Sequence, residues 1–183
     1  TRDVYFLNNG EIAVVKKDSV SLYDEMLNPI ERELFTVEWD VSQAEKAGYP
    51  HFMLKEIEEQ PRALADTLNP RVKDGEINFD EIGIDDAMLA EIKKITIIAC
   101  GTAYHASYVG KYIIERFARV PVEVEIASEF RYKNPIISED NFVIVVSQSG
   151  ETADTIAALR EAKSCGASVL AIANVVGSTI ARE

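Results

Sequence analysis

The stretch Phe142-Val143-Ile144-Val145-Val146-Ser147-Gln148-Ser149-Gly150-Glu151-Thr152 decides the fold. Five apolar, mostly β-branched residues run straight into a hydroxyl-rich turn, the pattern of a buried strand ending in a loop. Behind the turn, Ile156, Leu159 and Lys163 recur at helical spacing, so a helix follows. Strand, turn and helix in that order prepare an anion site. The first turn of a helix carries N–H groups with no intrahelical partner, and the aligned peptide dipoles add partial positive charge there. Ser147, Ser149 and Thr152 supply hydroxyls, Gln148 an amide, and Gly150 lets the backbone approach a ligand with no Cβ between them. The same residues also describe an ordinary Ser cap and Gly turn, so the stretch alone does not choose between the two.

Its neighbours extend the pattern in both directions. Ile95-Thr96-Ile97-Ile98-Ala99 reads as a buried strand, 104–118 as a helix, Val122-Glu123-Val124-Glu125-Ile126 as an alternating strand and Ser168-Val169-Leu170-Ala171-Ile172-Ala173 as a fourth strand. Strands alternating with helices predict an α/β fold, a doubly wound, flavodoxin-like parallel sheet with helices on both faces. In such sheets ligands bind beyond the carboxyl ends of the strands. Cys100-Gly101-Thr102-Ala103 stands at one such end and opens the next helix, which makes it the second half of the site. Neither the G-x-G-x-x-G of dinucleotide binding nor a Gly-rich loop ending in Lys-Ser or Lys-Thr is present. Cys100 fits either a thiol activated at a helix N-terminus or a small buried residue. His105 reads as a helix-face residue, with no visible acidic or nucleophilic partner.

The first half of the chain reads differently. Val4 to Leu7, Asn8-Asn9-Gly10 and Glu11 to Val15 predict a β-hairpin, since Asn-Gly favours the positive φ of a tight turn, and Val20 to Tyr23 adds a third strand. Three short strands with few apolar residues cannot bury a core of their own and resemble the end of a larger domain. Thr1 has the chemistry of an N-terminal nucleophile but no domain around it to form a site. From 35 to 49 the polar, acidic sequence, with an isolated Trp39, reads as a connector. Met53, Ile57 and Leu64 then fall on one helical face, and Pro61 should kink that helix or restart it. Asn69-Pro70, Asp74-Gly75 and Gly83 make the following stretch turn-rich.

Composition narrows the classes. The chain has 183 residues and a formal net charge of −12. All of that excess lies in residues 1–92, which hold 21 acidic and nine basic side chains, whereas 93–183 balance. Nucleic acid and anionic membranes are therefore poor partners, while an anionic ligand at the hydroxyl turn meets no strongly repelling field. No apolar run approaches the roughly 20 residues of a membrane helix, and no leader opens the chain, so a cytoplasmic protein is expected. Cys100 and Cys165 lack the spacing of a zinc or redox pair, and with only His51 and His105 in the chain no metal site is expected.

Three motifs occur together and in order: Cys100-Gly101-Thr102-Ala103-Tyr104-His105-Ala106, Ser128-Glu129-Phe130-Arg131-Tyr132 and Ser147-Gln148-Ser149-Gly150-Glu151-Thr152-Ala153-Asp154-Thr155. In this the chain resembles the glutamine–fructose-6-phosphate aminotransferase (isomerizing) family, the glucosamine-6-phosphate synthases. Leu54 to Pro61 looks like the opening of that family's isomerase half and Phe6 to Asp24 like the last hairpin of its glutaminase half. The resemblance implies a two-part enzyme. One half frees ammonia from glutamine with an N-terminal cysteine, and the other, built of two sugar isomerase (SIS) domains, makes glucosamine 6-phosphate from fructose 6-phosphate. By the same resemblance Thr102, Ser147, Gln148, Ser149 and Thr152 hold the sugar phosphate, and Cys100 and Gly101 shape the same wall. Ala103 stands where the family usually has Ser, which removes one hydroxyl from the rim.

The expected organisation is a glutaminase-domain remnant with linker over 1–48 and a first SIS domain over 49–183, truncated at its C-terminal end. Such an internal fragment holds the phosphate cradle but none of the family's reacting groups, so no catalytic residue, metal or cofactor is expected in it. The implied partners are fructose 6-phosphate and glucosamine 6-phosphate, with neither nucleic acid nor membrane, and the parent enzyme is expected to be a cytoplasmic homodimer. Two other classes share the Ser147 loop: a deglycase or sugar-phosphate isomerase of SIS type, and a non-catalytic sugar-phosphate sensor. No basic helix-turn-helix candidate supports the sensor, and the Phe6–Asp24 hairpin fits a preceding glutaminase domain.

Overall fold

The computed structural model describes residues 3–36, 45–79 and 82–183, and the chain divides after Gly75 into two units. The first begins with β1 (Asp3–Val4), β2 (Ile12–Val15), β3 (Val20–Tyr23), β4 (Pro29–Ile30) and β5 (Phe35–Thr36). The predicted Asn-Gly turn forms, with Gly10 at φ +84°, but it does not join paired strands. Val4 pairs instead with Phe35, and β2 pairs with β3, with Lys16 N–H donating to Ser19 O at 2.8 Å across the connection. At the turn the Glu11 carboxylate accepts the Asn8 N–H at 2.9 Å and is also bound by Arg32. The backbone closes the same turn, the Glu11 N–H donating to the Asn8 carbonyl at 3.2 Å, while β2 takes its strand partner from β3. Trp39 and Thr1 lie outside the described residues.

Next, α1 (Phe52–Leu68) runs unbroken through Pro61 rather than restarting there. Proline removes one N–H from the helical ladder, and the turns on either side carry the helix across. The face predicted to pack is turned outward: Met53 is 74% exposed, Leu64 62% and Ile57 48%. Lys55 is buried in their place, its Nζ donating to the Glu45 carbonyl at 2.6 Å. A 3-10 turn at Asn69–Arg71 and the short β6 (Val72–Lys73) follow.

The second unit comprises β7 (Glu76–Ile77), α2 (Asp86–Glu91), β8 (Lys94–Ala99), α3 (Gly101–Phe117), β9 (Val122–Ile126), α4 (Ala127–Phe130), β10 (Asn141–Ser147), α5 (Ala153–Ser164), β11 (Ser168–Ala173) and α6 (Thr179–Arg182). Four strands form a parallel sheet in the order β11-β10-β8-β9. Successive side chains on a strand point to opposite faces, and the strands here separate two apolar clusters by that rule. Ile95 and Ile97 with Phe142, Ile144 and Val146 meet Met88 of α2 and Ile114 of α3. Ile98 with Val143 and Val145 meets Phe130 of α4, Ala158, Leu159 and Ala162 of α5 and Ile180 of α6. Helices therefore cover both faces, as the alternation of strands and helices predicts. Each large apolar side chain fully buried in this way stabilises the fold by roughly 1.5–3 kcal/mol.

Candidate functional site

The central strands β8 and β10 are neighbours, in a register that sets Ala99 beside Val146. Their carboxyl ends emerge together, and the chain then parts: α3 crosses to one face of the sheet and α5 to the other. Where neighbouring strands send their helices to opposite faces, a crevice opens between the two turns. Here it is a cleft of about 270 Å³ lined by Cys100, Gly101, Thr102, Ala103, Val146, Ser147, Gln148, Ser149, Thr152 and Thr155. All seven residues singled out in the sequence, Cys100, Gly101, Thr102, Ser147, Gln148, Ser149 and Thr152, are among them.

Two helices begin at this cleft, and neither start is closed by a side chain. Cys100 caps α3 and Thr152 caps α5, both with extended backbone and without a side-chain hydrogen bond to the helix. The first-turn N–H groups of both helices are left to a ligand or to water, and both dipoles present positive charge on the same space. Gly101 takes φ +58° with open space where a Cβ would stand, so the backbone angle alone calls for glycine.

The loop hydroxyls hold its shape. Ser147 Oγ is buried and accepts the Gly150 N–H at 3.0 Å, and Ser149 Oγ accepts the Glu151 N–H at 3.1 Å. Each hydroxyl uses a lone pair in this contact and keeps its own proton to donate. Thr155, absent from the residues singled out by sequence, joins the two halves by donating from Oγ1 to Cys100 Sγ at 3.8 Å. Its position three residues after Thr152, on the same helical face, is the signal that marks it.

Gly150 has a different purpose from the one expected. At φ +66° its missing Cβ would lie 2.0 Å from Ser178 Oγ and 2.4 Å from Ser178 Cβ. The space is taken by Ser178, which follows β11, and is not kept open for a ligand. Glu151 likewise turns away from the cleft. Its Oε1 accepts the Thr179 N–H at 2.7 Å and its Oε2 the Thr179 hydroxyl at 2.8 Å, contacts that hold the carboxyl below the ordinary glutamate range. Among the described residues no lysine or arginine lines the cleft. In the first turn of α5, Asp154 is paired with Arg131 at 3.3 Å. That pair explains part of the Ser128–Tyr132 motif, whose Phe130 is core. His105 is exposed on α3 against the ring of Tyr104, and Cys100 and Cys165 are both free thiols. Among the described residues no helix is long and apolar enough to cross a membrane.

The profile of the SIS domain matches residues 88–183. Over its whole length the chain is 60% identical to a glutamine–fructose-6-phosphate aminotransferase [isomerizing] of Caldanaerobacter subterraneus subsp. tengcongensis and 58% identical to that of Clostridium tetani. It spans 30% of the length of each. The C-terminal domain of the glucosamine-fructose-6-phosphate aminotransferase of Francisella tularensis superposes with a TM-score of 0.68 at 44% identity, over 76% of this chain and 39% of that one. A tagatose-6-phosphate ketose/aldose isomerase of Escherichia coli shares the fold at 15% identity, with a TM-score of 0.61 over 75% of this chain and 38% of its own.

Proposed function

The chain belongs to the SIS domain family, and from that footing we propose that the cleft between α3 and α5 receives the phosphate of a hexose phosphate. The observation that carries this reading is the meeting of two helix N-termini, both without side-chain caps, over a wall of hydroxyls. A phosphate is the anion such a place favours, because its several oxygens accept from backbone N–H and O–H donors at once. Thr102, Ser149 and Thr152 donate hydroxyl protons, Gln148 its amide, and the first-turn N–H groups of α3 and α5 the rest. Ser147 braces the loop while offering its own proton, and Cys100 and Gly101 shape the wall.

The identity to the aminotransferases along the whole chain supports assigning it to such an enzyme. The substrate would be fructose 6-phosphate, the product glucosamine 6-phosphate, and the nitrogen donor glutamine. Residues 1–48 would belong to the glutaminase domain and linker, and 49–183 to the first SIS domain. The parent enzyme would be a cytoplasmic homodimer. Among the described residues no cation lines the cleft, so affinity should be modest, with a Kd on the order of 1 mM.

Titration of the full chain, followed by amide NMR, tests the assignment. Fructose 6-phosphate should shift Thr102 and residues 147–152, fructose should do so weakly or not at all, and Ser149→Ala should weaken the response by about tenfold. Equal responses to fructose, or shifts confined to residues 3–36, would refute it.

A further inference from the structure

Glu151 sits within the loop proposed to meet a phosphate, where a carboxylate facing the ligand would repel it. Both its oxygens are engaged elsewhere, by the N–H and the hydroxyl of Thr179 at 2.7 and 2.8 Å. Ser178, the cap residue of α6, makes no side-chain bond to that helix, so Glu151 performs the capping from across the loop. Two more contacts join the same segments. Ile180 N–H donates to the Gly150 carbonyl at 3.1 Å, and Ser178, 3% exposed, occupies the space beside Gly150. The Ser178 hydroxyl is buried there with no hydrogen-bond partner among the described residues. It contributes bulk to this contact and no polar bond.

From this arrangement we propose that Glu151 is a positioning residue, a latch that fastens the phosphate loop to residues 178–180 and holds it in its ligand-binding shape before the ligand arrives. The inference rests on the phosphate reading of the cleft. Six loop residues free to move would lose conformational entropy on binding, and affinity would fall accordingly. The latch meets that loss at folding, through atoms that never touch the ligand. Both oxygens matter: one fixes the backbone of Thr179 and the other its side chain. Glutamine preserves the geometry, since its amide oxygen accepts the N–H and its amide nitrogen donates to the Thr179 hydroxyl. Alanine removes both contacts. Thr179→Val removes the hydroxyl contact, together with the 3.2 Å bond from Arg182 to the same oxygen, but keeps the N–H.

The test is the Kd of the full chain for fructose 6-phosphate, by amide NMR, for the wild type and for Ser149→Ala, Glu151→Ala, Glu151→Gln, Thr179→Val and the double variant Glu151→Ala/Thr179→Val. Thermal unfolding of each is followed alongside. Glu151→Ala should weaken binding about tenfold at temperatures where the variant is fully folded. Glu151→Gln should stay within about threefold of wild type, and Thr179→Val should fall between, adding little in the Glu151→Ala background. A structural role alone would lower the melting temperature and leave the Kd of the folded protein unchanged, and that outcome overturns the proposal. Tighter binding by both Glu151 variants would show that the carboxylate acts only by charge, and would overturn it too. If Glu151→Ala does not fold, Thr179→Val and Glu151→Gln decide by the same criteria. A wild type that binds no sugar phosphate defeats the phosphate reading and this inference together, whereas wild-type binding weakened by Ser149→Ala but not by the Glu151 and Thr179 variants defeats the latch alone.

Discussion

Replacing Gly150 by alanine should separate backbone strain from steric conflict at the turn of the cleft. The residue holds φ +66°, a conformation costing an L-residue with a Cβ about 1–2 kcal/mol. The new methyl would also stand 2.0 Å from Ser178 Oγ and 2.4 Å from its Cβ. Forcing a group into a closed space typically costs about 1–3 kcal/mol, so the whole loss should be about 2–5 kcal/mol. The two contributions come apart in a second variant. Ser178→Gly removes both clashing atoms, and among the described residues its hydroxyl has no hydrogen bond to lose. In the Ser178→Gly background, Gly150→Ala should therefore cost only the backbone part, about 1–2 kcal/mol. Urea unfolding with linear extrapolation measures all four proteins. A Gly150→Ala protein within about 0.5 kcal/mol of wild type, or an identical penalty in both backgrounds, would refute the reasoning.

Two further outcomes are expected. Phe130→Ala should destabilise by about 3–5 kcal/mol in the same denaturation assay, because Phe130 is 1% exposed and stands in the cluster shared by α4, α5 and α6. Stability should also fall with acid: Glu115 is held below the ordinary glutamate value of 4.5 first by the Val122 N–H, and Glu123 first by its bond to Lys94. Depressed carboxylate pKa values contribute stability that is present above the unfolded value and lost as pH drops through the folded one. The decline should thus set in below about pH 4.5 and be shallower for Glu115→Gln/Glu123→Gln, as followed by the urea midpoint.

The second half of the chain was legible because its signals are local and mutually consistent. Runs such as Ile95 to Ala99 and Phe142 to Val146 are too apolar to be anything but buried, and each is followed by a turn and then a helix. Sequence alone does not order the strands, yet the site needed only that Cys100 and Ser147 both end strands of one sheet. What escaped was whatever depends on a partner distant in sequence. Nothing near Gly150 announces Ser178, and nothing near Glu151 announces Thr179. Asn8-Asn9-Gly10 predicts a turn, which forms, and a hairpin, which does not, because the partner of Val4 is Phe35, far along the chain. In α1, periodicity located the helix but misjudged its faces: Met53 and Leu64 stay exposed, and Lys55 is buried through its bond to the Glu45 carbonyl.

The register of β8 against β10, which pairs Lys94 with Asn141, bears on how the cleft comes into being. Its two halves meet only through contacts that span this sequence distance, so no short peptide from the chain prefigures the site. Parallel pairing of this kind closes a long loop before any reward is collected, which makes it a late and slow event in folding. A hexose phosphate would therefore be unable to guide the chain toward its fold. It could only recognise the finished sheet and, by mass action, keep it from opening.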